Sequence, residues 1–444
     1  MKHFIILATL LSLDLAGMGQ GPANKDQQGD TIRLGSLEAT IRLADQKNLT
    51  QAIYRQQVQQ AALNYKAAKS IFYPTVSAGL NATDNLSLPV TPVPGGIFGT
   101  PGKTTYVRFG QPYVYDAGLN LGMDLINWAS VLQLKIAAKN ADLSGLQESA
   151  FRQSLKEQVA RLYYSVLIAK SSLRINRRDR LLADTILVLS RQKLANGATD
   201  LLSVNEAVIN SNSIDQNQQQ SQQLLDQGIE NLKILLGEKP ATELAVTEEL
   251  DHGTQDAASP ASLMIDKNLI VYQQQQLIAN LQRRQQKAAF YPKISLSGFL
   301  GDQQFRDQFG MSFSSNAWSS YQYIELSVTV PLFSGFSNRN KYKGSVVQGR
   351  IAELQWESAV QQSEINDRLL WKNYADYLAM VRSSAGSFEL YGQNLDLDGQ
   401  KCREGLISLD VYMKAFQDYL SAENVYLNDL SQLLSVKSTF ISRQ

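Results

Sequence analysis

The tripeptide Phe-Tyr-Pro occurs twice in this sequence, at 72–74 and again at 290–292. A polar segment with helical spacing precedes each copy, and a run of alternating apolar and polar residues follows it. Proline lacks an N–H group and pushes the preceding residue out of the helical region. We therefore predict that Pro74 and Pro292 each end a helix and begin a strand. Because the junction recurs about half a chain apart, the sequence predicts duplication of a whole structural unit.

The composition excludes several classes of function. The chain has 444 residues, a net charge of +1, two histidines and one cysteine. Near-neutral charge without a basic cluster argues against a nucleic-acid partner. So few histidines leave little scope for imidazole chemistry, and we predict no metal site and no cofactor. The sequence shows no nucleophile–base pair and no phosphate loop, so we predict that the protein is not an enzyme. Cys402 is predicted to be an inert packing residue.

Residues 1–19 have the composition of a secretory signal peptide. A charged start precedes an apolar core, Phe4 to Leu15, and small residues lead to a predicted cleavage after Gly19. No cysteine follows, so we predict no N-terminal lipid anchor. No later window offers the roughly 20 apolar residues of a membrane helix, so any insertion into a membrane must use strands.

Periodicity divides the rest of the chain into two units with the same plan. The first unit, 20–240, is predicted to contain helices 31–72, 129–196 and 200–236 and strands 76–84 and 113–124. The periodicity of the first helix allows a break near Asn48. A weakly patterned linker, 241–262, follows. The second unit, 263–444, is predicted to contain helices 263–290, 340–403 and 407–439 and strands 294–301 and 321–332. Segments 85–112 and 302–319 are predicted loops, and Pro331 marks the exit from the last strand.

Four strands from one chain leave open sheet edges, which are a liability in water and forbidden in lipid. The simplest closure is one barrel shared by several copies of the chain. Strands 113–124 and 321–332 reach the roughly 9–11 residues of a transmembrane strand. Aromatic residues bracket these strands and fit either an interfacial girdle or ordinary strand propensity. They are Tyr113, Tyr115, Trp128, Trp318, Tyr321, Tyr323 and Phe333.

At this point the motifs resemble those of the TolC-type outer-membrane efflux factors. The motifs are Leu34–Ala39 opening the first helix, the two Phe-Tyr-Pro strand starts, Pro331–Gly335 closing the second strand pair, and Gly197–Leu202 and Gly405–Val411 at two hairpin tips. The first half departs from the pattern, because Asp124–Trp128 stands where the family has Pro-Leu-Phe-x-Gly.

The resemblance implies a mainly α-helical fold with a transmembrane β part. It implies a homotrimer with a twelve-stranded β-barrel, four strands per chain, continuous with a twelve-helix periplasmic α-barrel. The implied function is the outer-membrane channel of a tripartite efflux or type I secretion system, a passive exit duct in contact with outer-membrane lipid. The implied partners are a periplasmic adaptor protein and an inner-membrane pump of the RND or ABC type.

In this family the periplasmic tips close like an iris, and acidic residues often form a ring there. The gate candidates by position are Asp410, Lys414, Asp200 and Glu206. Glu206 and Lys414 are predicted to pair where neighbouring hairpins meet, and the alternative is that these are ordinary exposed helix charges. Asp410 fits equally well as the N-cap or first-turn acid of its helix. Gly197 and Gly405 are predicted to adopt the positive φ of a tight reversal.

A second function remains open from the sequence alone, that of a periplasmic coiled-coil adaptor or scaffold that is not inserted in the membrane. The apolar spacing between Leu155 and Leu173 suits either a coiled coil or a long packed helix. The paired strands and long loops favour the channel.

Overall fold

The structure, a computed structural model, describes residues 31–99, 101–250 and 263–444, so the predicted signal peptide, 1–19, lies outside the described residues. The helices within these ranges are α1 Leu37–Lys47, α2 Leu49–Lys69, α3 Trp128–Ala195, α4 Leu201–Leu236, α5 Lys267–Ala288, α6 Ser337–Arg403 and α7 Leu409–Ser442. The strands are β1 Ile32–Leu34, β2 Thr75–Asp84, β3 Val90–Pro94, β4 Thr104–Arg108, β5 Tyr113–Ile126, β6 Leu244–Val246, β7 Lys293–Arg306 and β8 Ser319–Thr329. None of the described helices combines the length and the apolar character needed to cross a membrane.

Four strands form one antiparallel sheet in the order β2-β5-β7-β8. Thr75 at the start of β2 pairs with Gly122 near the end of β5, and Lys293 at the start of β7 pairs with Thr329 at the end of β8. The flanking helices α2, α3, α5 and α6 therefore all attach at one end of this sheet. The strands β2 and β8 form its two edges.

The predicted strand boundaries coincide with prolines. Pro74 directly precedes β2, Pro292 directly precedes β7, and Pro331 follows the last residue of β8 by two positions. The exits from the sheet differ between the halves. β5 contains an irregularity between Asp124 and Ile126, and a single residue, Asn127, separates it from α3. The side chain of Asn127 accepts hydrogen bonds from the first backbone N–H groups of α3, which explains how this half proceeds without the proline motif.

The predicted helix 31–72 is divided at Asn48, where the sequence allowed a break, and its first residues are a strand, which is a correction to the sequence analysis. Residues 32–34 form β1, and the helix is interrupted at Asn48, whose backbone is extended. The Asn48 side chain accepts a hydrogen bond from the N–H of Gln51 (2.8 Å) and donates one to the carbonyl of Leu235 in α4 (2.8 Å). Asn48 thus caps α2 and ties the break to a neighbouring helix.

Replacing Asn48 with alanine is expected to destabilise the protein. Loss of an N-cap alone costs about 1 kcal/mol, and the carbonyl of Leu235 would lose its donor as well, for a total of roughly 2 kcal/mol. Chemical unfolding in detergent, followed by circular dichroism, measures the change. Asn140→Ala is the control, because Asn140 is exposed within α3 and alanine is the better helix former there. An equal loss in both variants would contradict the capping role.

The predicted linker 241–262 contains a strand that the sequence analysis missed. β6 pairs in parallel with β1, with Ile32 opposite Leu244 and Leu34 opposite Val246. The segment that follows is fixed to α3, where the Tyr163 hydroxyl donates to the Glu248 carboxylate (2.5 Å) and the Lys170 ammonium donates to the carbonyl of Val246 (3.2 Å). The described part of this segment, 241–250, therefore lies along the side of α3. Residues 251–262 lie outside the described residues.

The two predicted loops also contain more structure than expected. Within 85–112, β3 and β4 form an antiparallel hairpin, with Val90 opposite Arg108. The predicted strand 294–301 extends to Arg306, which shortens the loop 302–319. The side-chain amide of Gln304 exchanges two hydrogen bonds with the backbone of Ser312 (2.8 and 3.1 Å), and the indole of Trp318 donates to the same carbonyl (2.8 Å). Residues 307–318 are therefore folded back onto the end of the sheet.

The long helices form two antiparallel hairpins, α3 with α4 and α6 with α7, which pack side by side through α3 and α7. At 1.5 Å per residue, α3 is about 100 Å long. Near the hairpin ends, buried side chains from all four helices share one cluster. It includes Ile186 of α3, Ile214 of α4, Cys402 of α6 and Phe416 of α7. Cys402 is a buried packing residue there, 1% exposed.

Candidate functional site: the sheet faces and the hairpin tips

One face of the four-stranded sheet is apolar along its whole width. The register places Val76, Leu121, Gly298 and Ile324 in one row across the strands. Neighbouring rows on the same face carry further apolar side chains: Leu119 beside Leu300, Leu296 beside Leu326, and Ile294 beside Val328. Ile324 is 79% exposed. An exposed apolar surface of this size needs a cover that is not water.

The opposite face is polar, since alternate residues of a strand point to opposite sides. One row on it reads Ser77, Asn120, Phe299 and Tyr323, and Glu325 lies on the same side. The Phe299 ring lies 5.8 Å from the Tyr321 ring and 6.3 Å from the Tyr323 ring, measured between centroids. A sheet with one apolar and one polar face is suited to separate lipid from water.

The face assignment corrects part of the predicted aromatic girdle. Tyr321 and Tyr323 lie on the polar face, where they pack with Phe299, so they do not face the apolar side. Tyr115 is only 6% exposed, and its hydroxyl accepts a hydrogen bond from the N–H of Gly310 (3.0 Å). Tyr115 therefore lies beneath the folded-back segment 307–318. The strand alternation in the sequence did not reveal either location, because it shows periodicity but not which face is outside.

The two hairpin tips share one backbone geometry. Gly197 has φ +67° and Gly405 has φ +77°, the left-handed conformation that ends a helix in a tight reversal. After Gly197, the N–H of Ala198 donates to the carbonyl of Lys193 (2.8 Å), and after Gly405, the N–H of Leu406 donates to that of Lys401 (2.9 Å). The tips therefore present α4 and α7 in equivalent local settings.

A contact between the two hairpins lies just behind these tips. Asp200 caps α4, accepting hydrogen bonds from the N–H and the hydroxyl of Ser203 (3.0 Å each). These bonds, that from the Ser203 N–H foremost, hold the pKa of Asp200 below its usual range. The Ser203 hydroxyl also lies 2.7 Å from a carboxylate oxygen of Asp410. Because that hydroxyl has one proton, it can donate to only one of the two carboxylates at a time.

The remaining gate candidates lie close by but are not brought together within the chain. Asp410 is in the first turn of α7, whose N-cap is Ser408 rather than Asp410 itself. The Lys414 ammonium lies 3.4 Å from Asp418, one turn further along the same helix. Among the ion pairs of the described residues, none joins Lys414 to Glu206. A single exposed pair such as Lys414–Asp418 contributes little stability.

A buried acidic pair that the sequence analysis did not single out lies further along the hairpins. Asp179 of α3 is 1% exposed and Glu423 of α7 is 4% exposed. Burial, followed by the neighbouring Asp179, raises the pKa of Glu423 to about 9. The sequence signal that could have revealed Asp179 is its helical spacing. Asp179 lies three residues after Asn176 and four before Ala183, so all three lie on one side of α3, and that side is buried.

Comparisons with known proteins agree with the family resemblance of the motifs. Residues 40–238 match the family described as "Outer membrane efflux protein". Outer membrane protein TolC of Vibrio cholerae is 21% identical over 283 residues, covering 62% of this chain and 63% of that protein. The toluene efflux pump outer membrane protein TtgI of Pseudomonas putida is 26% identical over 225 residues, covering 48% of this chain and 46% of that protein. The chain thus matches less than two thirds of the length of these relatives.

Solved structures show the same fold over nearly the whole chain. The outer-membrane channel OprN superposes with a TM-score of 0.74 at 17% identity, covering 92% of this chain and 90% of that one. The outer membrane channel MtrE of Neisseria gonorrhoeae, solved in an open state, gives 0.74 at 16% identity, covering 91% and 88%.

The mainly helical fold with a two-faced sheet is shared with these solved outer-membrane channels. Residues 40–238 match the outer membrane efflux protein family, and TolC of Vibrio cholerae is among the chain's relatives, which agrees with the resemblance that its motifs indicated. Its relatives are outer-membrane proteins, which agrees with the predicted location of the sheet in the outer membrane and of the helices in the periplasm.

Proposed function

We propose that this protein is the outer-membrane channel of a tripartite efflux or type I secretion system, a passive exit duct and not an enzyme. One observation carries the proposal, namely a sheet with an exposed apolar face and two open edges, joined at one end to two long helical hairpins. The apolar face would contact lipid and the polar face would line the path. A soluble scaffold would leave that apolar face in water, so the structure favours the channel.

Closure of the sheet requires other copies of the chain. The edges β2 and β8 run antiparallel to each other, so β8 of one copy can pair with β2 of the next in an unbroken antiparallel sheet. Two copies would give eight strands, and side chains fill the interior of a barrel that small. The large rings of Phe299, Tyr321 and Tyr323 lie on the proposed inner face. Three copies, with twelve strands, are the smallest assembly that leaves a passage, which supports the homotrimer.

The helical part of the assembly would follow the same symmetry. Two hairpins per chain would form a twelve-helix tunnel across the periplasm, with the tips Gly197 and Gly405 at its far end. We further propose that units 20–240 and 263–444 descend from one duplicated unit, joined by the linker 241–262. The similar course of β2–β5–α3–α4 and β7–β8–α6–α7 supports this origin.

The partners would be a periplasmic adaptor protein and an inner-membrane pump of the RND or ABC type. The relative TtgI is named as the outer membrane protein of an efflux pump, which supports a pump as the energy source. The adaptor would pack its helices into grooves between the hairpins near the tips. The channel itself would supply no energy for transport.

We also propose that the tips form the gate. The Ser203–Asp410 hydrogen bond joins the first hairpin to the second within one chain, and opening would separate them. Asp200 would compete with Asp410 for the Ser203 proton. Glu206 and Lys414, which do not pair within the chain, would approach each other between neighbouring copies. The acidic side chains would then converge where the tips of three copies meet.

Planar-bilayer recording of the purified protein tests the function. We expect discrete conductance steps from the wild type, whereas a scaffold would give none. The Asp410→Ala variant is expected to open more often, because the hydroxyl of Ser203 loses one of its two acceptors. A hydrogen bond worth about 1 kcal/mol would change the ratio of open to closed states roughly fivefold per subunit.

Asp226→Ala is the matched control for the gate. Asp226 is exposed on α4, where it accepts a hydrogen bond from Gln222 and lies 25 residues from the start of the helix, so its removal should leave the open probability unchanged. If both variants behave like the wild type, Asp410 is not part of the gate, although the channel itself would stand. If the wild-type protein gives no conductance steps, the proposed function is wrong.

A further inference from the structure

Two carboxyl side chains meet inside the helical part, between the hairpins. Asp179 on α3 and Glu423 on α7 are both almost completely removed from solvent, at 1% and 4% exposure. Their side chains are hydrogen-bonded to each other. Counted along either helix at 1.5 Å per residue, the pair lies about 20 Å from the hairpin ends. It is therefore separate from the Ser203–Asp410 contact at the tips.

The surroundings of the pair offer little compensation for two negative charges. On α7, the Tyr419 hydroxyl is hydrogen-bonded to the Asp179 carboxyl group. On α3, Arg178 is the cation that acts on Asp179, and its own side chain is exposed. From α6, the Phe388 ring packs 5.2 Å from the Tyr419 ring, and α4 contributes Ile214 to the same buried cluster. The walls of the site are thus mostly apolar.

Two carboxyl groups in contact in such a place do not both ionise near neutral pH. Like charges at hydrogen-bond distance disfavour a second ionisation, and burial disfavours each charge separately. A hydrogen bond between the two groups also requires a donor, which only a protonated carboxyl can be. Burial raises the pKa of both groups, that of Glu423 to about 9. The second oxygen of Asp179, Oδ2, is buried without a hydrogen-bond partner among the described residues, as expected for a charge that is not fully solvated.

We propose that Asp179 and Glu423 form a proton-binding site that joins the two helical hairpins. One proton, shared between the two carboxyl groups, holds α3 against α7, and its release leaves two adjacent buried negative charges that push the helices apart. If the tips form a gate, as proposed above, this site makes the rigidity behind that gate depend on pH. The proton site itself does not depend on the gate or on the membrane.

The sign of the pH dependence follows from the direction of the shift. The pKa of Glu423 is raised in the folded protein, so between its ordinary value of 4.5 and about 9 the folded state binds a proton that the unfolded state has released. The stabilisation is fully present below that window and is lost progressively as the pH rises through it. Above about pH 9, neither the folded nor the unfolded state binds this proton. The repulsion between the two carboxylates remains, but the stability no longer changes with pH through this pair.

Unfolding in detergent at a series of pH values tests the site in Glu423→Gln. Glutamine keeps the shape and a hydrogen-bond donor but carries no ionisable proton. Release of one proton on unfolding means that the unfolding equilibrium constant of the wild type should rise about tenfold per pH unit relative to the variant between pH 5 and 9. Asp179→Asn is the second variant and should weaken the dependence without removing it, because burial, the larger cause of the raised pKa of Glu423, remains. Glu389→Gln, at an exposed position on α6, should follow the wild type.

Infrared difference spectra provide a readout that is independent of stability and of conductance. The wild type at pH 7 should show a protonated carboxyl band that disappears above pH 9 and is absent from Glu423→Gln. Parallel pH profiles in wild type and Glu423→Gln, or no such band at pH 7, would overturn the proposal. Stabilisation of the wild type by a divalent cation, lost in both variants, would also overturn it, because the pair would then bind a metal ion in place of the proton. Failure of the channel assay would leave these results unaffected.

Discussion

Replacing Ile324 with arginine is expected to prevent stable insertion of this protein into the outer membrane. Ile324 lies in the middle of β8 on the apolar face, opposite Gly298, and is 79% exposed. An arginine on the lipid face near the middle of the bilayer costs about 2–4 kcal/mol. The proposed trimer would carry three copies of the change, so we expect loss of most of the assembled protein from outer-membrane fractions. Heat-modifiable migration on gels measures the assembled fraction.

Ser327→Arg provides the control for this prediction. Ser327 lies three residues further along β8 and therefore points to the polar face, where its hydroxyl donates to Glu325 (2.8 Å). An arginine there can pair with Glu325 and remain in water, so assembly should stay near the wild-type level. Equal losses in both variants would show that β8 tolerates no charge on either side. Normal assembly of Ile324→Arg would refute the assignment of the lipid-facing side.

The sequence revealed the elements with strong local signals. Proline ends helices through its own covalent geometry, which is why Pro74 and Pro292 identified the starts of β2 and β7. Glycine with positive φ marks tight reversals, which is why Gly197 and Gly405 identified the tips. The long helices α3 and α6 carry their signal over many turns, so a few polar interruptions did not hide them.

The elements that were missed depend on distant partners. β1 and β6 are three residues each, and they pair with one another across more than 200 residues of intervening sequence, so neither shows a period of its own. The β3–β4 hairpin was hidden by Pro92 and Pro94, since proline within a run argues against a strand. Asn48 shows both situations. Asparagine can be recognised locally as a capping residue, but its hydrogen bond to the carbonyl of Leu235 depends on a distant helix and has no signal in the local sequence.

The residues of the candidate site also fall into those that the local sequence revealed and those that only tertiary packing revealed. Asp200 and Asp410 were found because both lie near tip glycines, but Ser203, which touches both, required the packing of one hairpin on the other. Asp179 and Glu423 are 244 residues apart in sequence, and only the α3–α7 contact brings them together. Local pattern therefore located the tips, and tertiary packing determined which polar groups meet behind them.

The junction between the two halves of the sheet rests on a pair of facing glycines. Gly118 of β5 lies opposite Gly301 of β7, in the central strands of the sheet. A Cβ atom at Gly301 would overlap the carbonyl oxygen of Ala117 and lie 2.6 Å from the Cα of Gly118. The ring of Phe299 covers the same point, with its Cζ atom 2.9 Å from that position. No L-residue with a side chain fits there unless β5 and β7 separate.

Gly301→Ala is therefore expected to break the sheet where its two halves meet. Overpacking costs roughly 1–3 kcal/mol when side chains can adjust, but here the obstructing atoms belong to the backbone, so we expect a larger loss in each copy of the proposed trimer. Refolding yield and resistance of the assembled form to detergent measure the effect. Gly122→Ala, in the neighbouring strand β5, is the matched control. A Cβ atom at Gly122 would meet only the hydroxyl oxygen of the Thr75 side chain, 3.2 Å away, and a side chain can adjust where a backbone cannot. Near-normal assembly of Gly301→Ala would show that β5 and β7 are not paired in this register, and the shared barrel would then need a different arrangement of strands.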